Sequence, residues 1–268
     1  MRLVLISTRV FLHRLVLLAF AGVMGMAATA VPVNARAQDL AIAAASDLQS
    51  VLPTIAKRFE EQTGRHVALT FGSSGNFFTQ IQSGAPFDLF FSADVDYVAR
   101  LEKEGRAEPG SQFRYAVGRI ALWTRKDSGI DVSEGLSVLV NPRVRRVAIA
   151  NPAHAPYGRA AVSALQHEKL YDAVKTKLVL GENISQAAQF AQSGNADVGI
   201  VALSLARGPA LESAGTFFDI PERFHPRIDQ AAIIVRASKQ KAVARQFLDF
   251  LKQPEIVKLF QDFGFTTP

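Results

Sequence analysis

Cysteine is absent from the 268-residue chain. Disulfide bonds, thiolate metal sites and a cysteine nucleophile are therefore excluded, and the folded protein must depend on its hydrophobic core. The sequence also lacks histidine and carboxylate clusters at the spacing of zinc or calcium sites, and it lacks glycine-rich nucleotide-binding motifs. We therefore expect neither a cation site nor a cofactor.

The chain has little excess charge once its N-terminal segment is set aside. Lysine and arginine total 30 against 24 acidic residues, a formal net charge of +6. Four of the basic residues and none of the acidic ones lie in the first 37 residues, which leaves 26 against 24. A basic surface of the kind that binds nucleic acid is not indicated, so we expect no nucleic-acid partner.

Residues 1–37 have the pattern of a secretory signal peptide. An apolar stretch, almost unbroken over residues 15–26, follows a basic start that contains Arg2, Arg9 and Arg14. Small residues come next and end in Ala-Arg-Ala at 35–37. The apolar run is shorter than the ~20 residues that span a bilayer. We expect cleavage after Ala37, with cleavage after Ala30 as the alternative, and the remaining chain of about 230 residues is long enough for two lobes.

Apolar runs and helical spacings alternate along the rest of the chain, which predicts an α/β fold with parallel or mixed sheets. Strands are predicted at residues 40–45, 67–71, 87–91, 115–123, 147–150, 177–180, 198–202 and 230–235. The strands at 115–123 and 230–235 are predicted to cross between two lobes. Lobe one then comprises residues 38–117 and 229–268, and lobe two is inserted as residues 118–228.

Hydroxyl residues stand at two places where a predicted strand gives way to a predicted helix. Ser46 and Asp47 precede a helical pattern that starts at Leu48, and Ser73 and Ser74 precede another. Helix starts present unpaired N–H groups and a positive dipole end, so they hold anions well. Two such junctions suggest one anion shared between them, and the alternative interpretation is that the serines are only helix caps.

A secreted serine hydrolase is the alternative from a different class. Residues 72–75, Gly-Ser-Ser-Gly, lack the spacing of a nucleophile elbow. A hydrolase would use Ser46 or Ser74 as the nucleophile and would need a histidine beside it. His154 is the histidine closest to the candidate cleft, but its sequence setting favours a loop.

These motifs resemble those of the periplasmic molybdate-binding proteins that serve ABC transporters. The matching segments are residues 43–46 (AAAS), 71–75 (FGSSG), 84–94, 115–123, 151–158, 199–203 (GIVAL) and 264–266 (GFT). The resemblance implies the bilobal type II periplasmic binding protein fold. It also implies a monomeric, non-enzymatic periplasmic receptor that captures molybdate, and tungstate too, and delivers it to a membrane ABC permease.

The resemblance also implies a set of ligand-binding residues. Ser46 and Ser74 would donate hydroxyl and backbone hydrogen bonds, Asp47 and Ile184 would each donate a backbone N–H, and Tyr157 would supply a phenol. Molybdenum would be bound only as the oxyanion.

Ala202 marks a departure from the family pattern. Many members have a tyrosine ligand directly after Gly-Ile-Val, where this chain has Ala202, and a small residue where this chain has Tyr157. The resemblance therefore implies that the phenol comes from the other side of the site.

The anion that such a site prefers depends on whether the anion itself carries a proton. Molybdate, tungstate and sulfate are fully deprotonated at neutral pH and suit a site made of donors, whereas hydrogenphosphate also needs an acceptor. A sulfate- or phosphate-binding receptor of the same fold is the alternative. Asp47 would favour phosphate if its carboxylate enters the cleft.

Overall fold

A computed structural model describes residues 39–268 of the chain. The predicted signal peptide and its cleavage site lie outside the described residues. Within the described part, no helix is both long enough and apolar enough to cross a membrane.

Over residues 39–268, ten strands form two five-stranded sheets. They are β1 (Leu40–Ala45), β2 (Val67–Gly72), β3 (Leu89–Ser92), β4 (Phe113–Gly118), β5 (Ile120–Arg125), β6 (Val147–Ala150), β7 (Leu178–Gly181), β8 (Val198–Ala202), β9 (Gly215–Asp219) and β10 (Ile228–Ile234). The sheet of lobe one has the order β2-β1-β3-β10-β4, and the sheet of lobe two has the order β7-β6-β8-β5-β9.

Both sheets are mixed in the same way. In lobe one, β1 runs parallel to β2 and β3, while β10 is antiparallel to β3 and β4. In lobe two, β6 runs parallel to β7 and β8, while β5 is antiparallel to β8 and β9. The parallel strands place their carboxyl ends, and the helix starts that follow, at one edge of each sheet, where α/β proteins bind ligands.

Helices cover the sheets. The α-helices are α1 (Leu52–Thr63), α2 (Ser74–Gln82), α3 (Val95–Lys103), α4 (Pro156–His167), α5 (Tyr171–Val174), α6 (Ile184–Gln192), α7 (Leu203–Ala206), α8 (Pro209–Glu212), α9 (Lys241–Phe250) and α10 (Pro254–Asp262). Short 3₁₀ segments lie at Ser46–Ser50, Val132–Val140, Lys175–Lys177 and Glu222–Phe224.

Aromatic side chains fill the core of lobe one on both faces of its sheet. Phe59 of α1 packs edge-on against Phe247 of α9, with ring centroids 4.9 Å apart. On the other face, Phe77 of α2 contacts Phe90 of β3. The two C-terminal helices therefore pack on the sheet of lobe one, although they follow the last strand of lobe two by more than 20 residues.

The predicted single strand at 115–123 is wrong, because the structure divides it into β4 and β5 in different sheets. The break lies at Arg119, next to Gly118. A Cβ atom at Gly118 would overlap the Tyr157 hydroxyl and would lie 2.6 Å from the Gln230 amide nitrogen. The chain crosses between the lobes here, at a position where only hydrogen fits beside these two side chains.

The helix predicted from Leu48 also begins later than expected. Ser46–Ser50 form a 3₁₀ turn, and α1 begins at Leu52 with Pro53 in its first turn. Proline fits there because first-turn N–H groups have no acceptor in the helix. Ser46 thus opens a 3₁₀ turn rather than an α-helix.

Candidate functional site

A small cavity lies where β1 and β2 end and where α2, α4 and α6 begin. Its walls include all five of the predicted binding residues, namely Ser46, Asp47, Ser74, Tyr157 and Ile184. The cavity is small, with a volume of about 10 Å³. It therefore suits a single compact ligand rather than an extended one.

A larger cleft of about 450 Å³ lies beside this cavity but is less suited to hold an anion. Two arginines of its lining each pair with an aspartate. Arg159 contacts Asp94, and Arg227 lies 2.9 Å from Asp229. Asp96 adds a third carboxylate to the lining, which leaves three carboxylates against two guanidinium groups, and we take the smaller cavity as the candidate site.

Ser74 is buried at the first position of α2 and is not the cap of that helix. Ser73 is the cap, and its hydroxyl oxygen accepts a hydrogen bond from the N–H of Asn76 at 3.3 Å. The Ser74 hydroxyl oxygen instead accepts from the N–H of Ala93 at 2.9 Å. Within residues 39–268 the Ser74 hydroxyl donates to no acceptor, so its proton is available to a ligand.

Ser46 has a similar arrangement and joins the two lobes. Its hydroxyl oxygen accepts a hydrogen bond from the N–H of Ser185 in α6 at 3.4 Å. The 3₁₀ turn that Ser46 opens has no side-chain cap. Neither serine therefore caps the helix or turn that it begins, and within residues 39–268 the proton of the Ser46 hydroxyl also has no acceptor.

Helix starts supply further donors at the cavity. Ser74, Pro156 and Ile184 are the first residues of α2, α4 and α6. N–H groups in a first turn have no acceptor within their helix and carry the positive end of its dipole. Pro156 lacks an N–H, so Tyr157 carries the first N–H of α4.

The Asp47 side chain is fully buried in a network of neutral groups. Its Oδ2 atom accepts hydrogen bonds from the Tyr157 hydroxyl at 2.9 Å and from the Gln230 amide nitrogen at 2.7 Å. The Gln230 amide oxygen accepts in turn from the Tyr115 hydroxyl at 2.7 Å. The network links Asp47 and two strands of lobe one to a helix of lobe two.

Burial raises the pKa of Asp47 from 3.8 to about 7, against the opposing effect of hydrogen bonds from Gln230, from Tyr157 and from the backbone N–H of Asp47 itself. The Oδ1 atom is buried and has no hydrogen-bond partner among the described residues. Burial and the nearby Asp47 charge raise the pKa of Tyr115 and of Tyr157 well above their ordinary value. Both phenols therefore keep their protons.

The Tyr157 phenol is engaged within the protein. A phenol has a single proton, and here that proton is donated to Asp47 while the oxygen accepts from Gln230 at 2.9 Å. In this closed arrangement the phenol has no further proton to donate, whereas the backbone N–H of Tyr157, in the first turn of α4, has no acceptor within its helix.

Gln230 contacts the site, and the sequence did not reveal it. The sequence pattern places it only as the first residue of an apolar strand, yet it is fully buried and holds Asp47. A polar amide in an otherwise apolar, buried strand needs hydrogen-bond partners inside the protein. This requirement indicates from the sequence that Gln230 has a hydrogen-bond partner, but it does not identify that partner.

The lobes are closed over the cavity. The N–H of Gly75 in lobe one donates to the carbonyl oxygen of His154 in lobe two at 3.0 Å. An ion pair between Asp94 and Arg159 also joins the lobes. These contacts hold the two lobes together beside the cavity.

The structure gives little support to hydrolase chemistry. His154 contacts Ser73, with 2.9 Å between the Ser73 hydroxyl oxygen and Nδ1, and not Ser46 or Ser74. Its Nε2 atom is 3.7 Å from the Glu182 carboxylate, too far for a hydrogen bond that would orient the ring. Over residues 39–268, no group of three or more histidine or carboxylate side chains could hold a metal ion.

The chain belongs to the family of bacterial extracellular solute-binding proteins, whose model matches residues 40–266. The protein is therefore a binding protein and not an enzyme. It is 38% identical over 249 residues to the molybdate-binding protein ModA of Rhodobacter capsulatus, covering 93% of this chain and 94% of the relative. It is also 38% identical over 254 residues to ModA of Azotobacter vinelandii, covering 95% and 97%.

A solved structure supports the same assignment. The periplasmic molybdate-binding protein of Azotobacter vinelandii matches with a TM-score of 0.80 at 35% identity, covering 86% of this chain and 100% of that chain. The predicted resemblance and the predicted bilobal α/β fold are confirmed.

Proposed function

We propose that this protein captures molybdate between its two lobes and delivers it to the permease of an ABC importer. The observation that carries the proposal is the cavity at the ends of β1 and β2, where two serine hydroxyl protons and three helix starts converge. Fixed donors of this kind balance the charge of an oxyanion without a lysine or arginine. Relatives that bind molybdate support the choice of anion.

The same chemistry extends to tungstate. Tungstate, like molybdate, presents four oxygen atoms that only accept hydrogen bonds, so we propose that it binds at the same residues. Ser46, Ser74 and the backbone N–H groups of Asp47, Tyr157 and Ile184 are the proposed donors.

We further propose that the protein works as a periplasmic monomer after cleavage of residues 1–37. The basic start and apolar run of that segment support export. Both lobes of the same chain contribute residues to the cavity, which supports a monomer. Its partner is the membrane permease, which receives the anion when the lobes open.

A phosphate receptor is the second candidate, and one observation favours it. The Oδ1 atom of Asp47 has no partner among the described residues and could accept the proton of hydrogenphosphate if the carboxyl group were ionised. The absence of a cationic partner for Asp47 in the described part of the chain disfavours an ionised carboxylate beside a dianion, which supports molybdate.

Calorimetric titration of the purified protein with molybdate, tungstate, sulfate and phosphate tests the proposal. We expect sub-micromolar dissociation constants for molybdate and tungstate, and weaker binding of sulfate because it is smaller. Tight binding of phosphate without binding of molybdate would contradict the proposal.

Replacing Ser74 with alanine is expected to weaken molybdate binding roughly tenfold to hundredfold, or ~1.5–3 kcal/mol, because a hydrogen bond to a charged ligand is lost. Ser83, an exposed serine at the other end of α2, provides the matched control. Ser83→Ala should bind like the unsubstituted protein in the same titration. Unchanged affinity of Ser74→Ala would show that this hydroxyl does not contact the anion.

A further inference from the structure

The two carboxyl oxygens of Asp47 have different surroundings. Oδ2 accepts two hydrogen bonds, whereas Oδ1 has no partner among the described residues although it is buried. Asp47 also lines the candidate cavity. An unpartnered polar atom at a buried position is costly, so it indicates a group that a ligand completes.

The hydrogen-bond network fixes which oxygen can carry a proton. The amide nitrogen of Gln230 is turned toward Asp47 because the amide oxygen accepts from the Tyr115 hydroxyl. The Tyr157 hydroxyl accepts from the same nitrogen and must therefore donate to Asp47. Both donors converge on Oδ2, so a proton on the carboxyl group belongs on Oδ1.

The groups around Asp47 favour its neutral form. The titratable groups that face it are Tyr115 from β4 and Tyr157 from α4, and both remain protonated phenols. Gln230 faces it from β10, and the Ser204 hydroxyl of α7 donates to its backbone oxygen. Over residues 39–268, no lysine, arginine or histidine forms a hydrogen bond or ion pair with the carboxylate.

His154 directly precedes Ala155 and Pro156, which belong to the wall of the cavity in lobe two. Its ring contacts the Ser73 hydroxyl and lies 3.7 Å from Glu182. It therefore offers no charge to Asp47 through a direct contact.

We propose that Asp47 binds the oxyanion as a neutral carboxylic acid, with the Oδ1–H group donating a hydrogen bond to one oxygen of the dianion. This inference rests on the proposed function. The proton comes from solvent when the anion binds at a pH at which Asp47 is ionised, and it returns to solvent when the anion leaves. Asp47 then selects tetrahedral anions whose oxygens all accept, and it disfavours those that carry a proton of their own.

Proton uptake on binding tests this inference directly on the unsubstituted protein. Molybdate is titrated calorimetrically at pH 8 in two buffers with different heats of ionisation, and the difference in heat gives the number of protons bound. We expect about one proton per molybdate. Because uptake of one proton makes binding depend on proton concentration, the affinity should fall about tenfold from pH 8 to pH 9.

Asp47→Asn imitates the neutral acid, since its amide oxygen can accept from Tyr157 and Gln230 while its amide nitrogen donates where Oδ1–H would. We expect no proton uptake, the same affinity at pH 8 and pH 9, and at least tenfold tighter binding than the unsubstituted protein at pH 9. Asp219, an acidic residue of lobe two whose pKa is also raised by burial, provides the control. Asp219→Asn should keep the full proton uptake.

The outcomes separate this inference from the proposed function. Tight molybdate binding without proton uptake in the unsubstituted protein would overturn the role of Asp47 and leave the proposed function intact. No binding of molybdate at pH 6 to 9 would overturn both. Tight phosphate binding that is lost in Asp47→Asn would also overturn both, because Oδ1 would then be an acceptor.

Discussion

Replacing Gly75 with alanine is expected to weaken molybdate binding at least about 100-fold, or about 2.8 kcal/mol, by blocking closure of the lobes. A Cβ atom at Gly75 would lie 2.6 Å from the carbonyl oxygen and 2.9 Å from the Cβ atom of His154 in the other lobe. It would also lie 2.8 Å from the Tyr97 hydroxyl. The carbonyl belongs to the backbone and cannot rotate away as a flexible side chain would. The loss is measured by calorimetric titration.

The matched control is Gly64→Ala. Gly64 has a φ of +68°, and a Cβ atom there would have no other atom within 4 Å, so alanine strains the backbone without touching the other lobe. It should lower stability slightly and leave molybdate affinity unchanged. Small-angle scattering should show that molybdate contracts the control protein but not Gly75→Ala. Contraction and full affinity in Gly75→Ala would show that the lobes do not close along this contact.

Replacing Asp47 with asparagine is expected to stabilise the ligand-free protein at pH 8 by up to about 4 kcal/mol. Because burial raises the pKa of Asp47 from 3.8 to about 7, the folded protein binds this proton more tightly than the unfolded chain does. The stabilisation from the protonated acid is complete below about pH 4 and is lost as the pH rises toward 7. Asparagine has no charge to bury and avoids this loss.

Urea unfolding of both proteins at pH 5 and pH 8 measures the effect. The difference between Asp47→Asn and the unsubstituted protein should be much larger at pH 8 than at pH 5. Asp131 provides a control of opposite sign, because hydrogen bonds with Ser133 lower its pKa. Asp131→Asn should therefore not stabilise the protein at pH 8. An Asp47→Asn difference that is equal at both pH values would mean that Asp47 is hydrated in the ligand-free protein.

Strand positions were predictable wherever an apolar run met a turn signal. The strands β1, β6 and β8 have the predicted bounds, because buried parallel strands are continuous apolar runs with polar or glycine-containing ends. The same rule gave a wrong prediction at residues 115–123, where one continuous apolar run covers parts of two strands. Its apolar residues continue across Arg119, and hydrophobicity does not indicate that the chain passes from one sheet to another there.

The site was predictable only in part. Ser46 and Ser74 were identifiable because hydroxyl residues at strand-to-helix junctions have a local reason to bind anions. The sequence could not show that Ser73, and not Ser74, caps α2, because either residue satisfies the capping pattern. Gln230 was not identifiable as part of the site because it lies 183 residues from Asp47, the residue it holds.

The sequence by itself determined the class of fold, the leader pattern and the donors that lie at strand ends, because these follow from local periodicity, composition and the chemistry of helix starts. Only the tertiary structure decided that the Tyr157 phenol and the Gln230 amide both donate to one oxygen of Asp47. It also decided that the other oxygen is buried without a partner among the described residues. The protonation of Asp47 depends on burial and on contacts between segments that are distant in the chain, and neither can be predicted from a local sequence pattern.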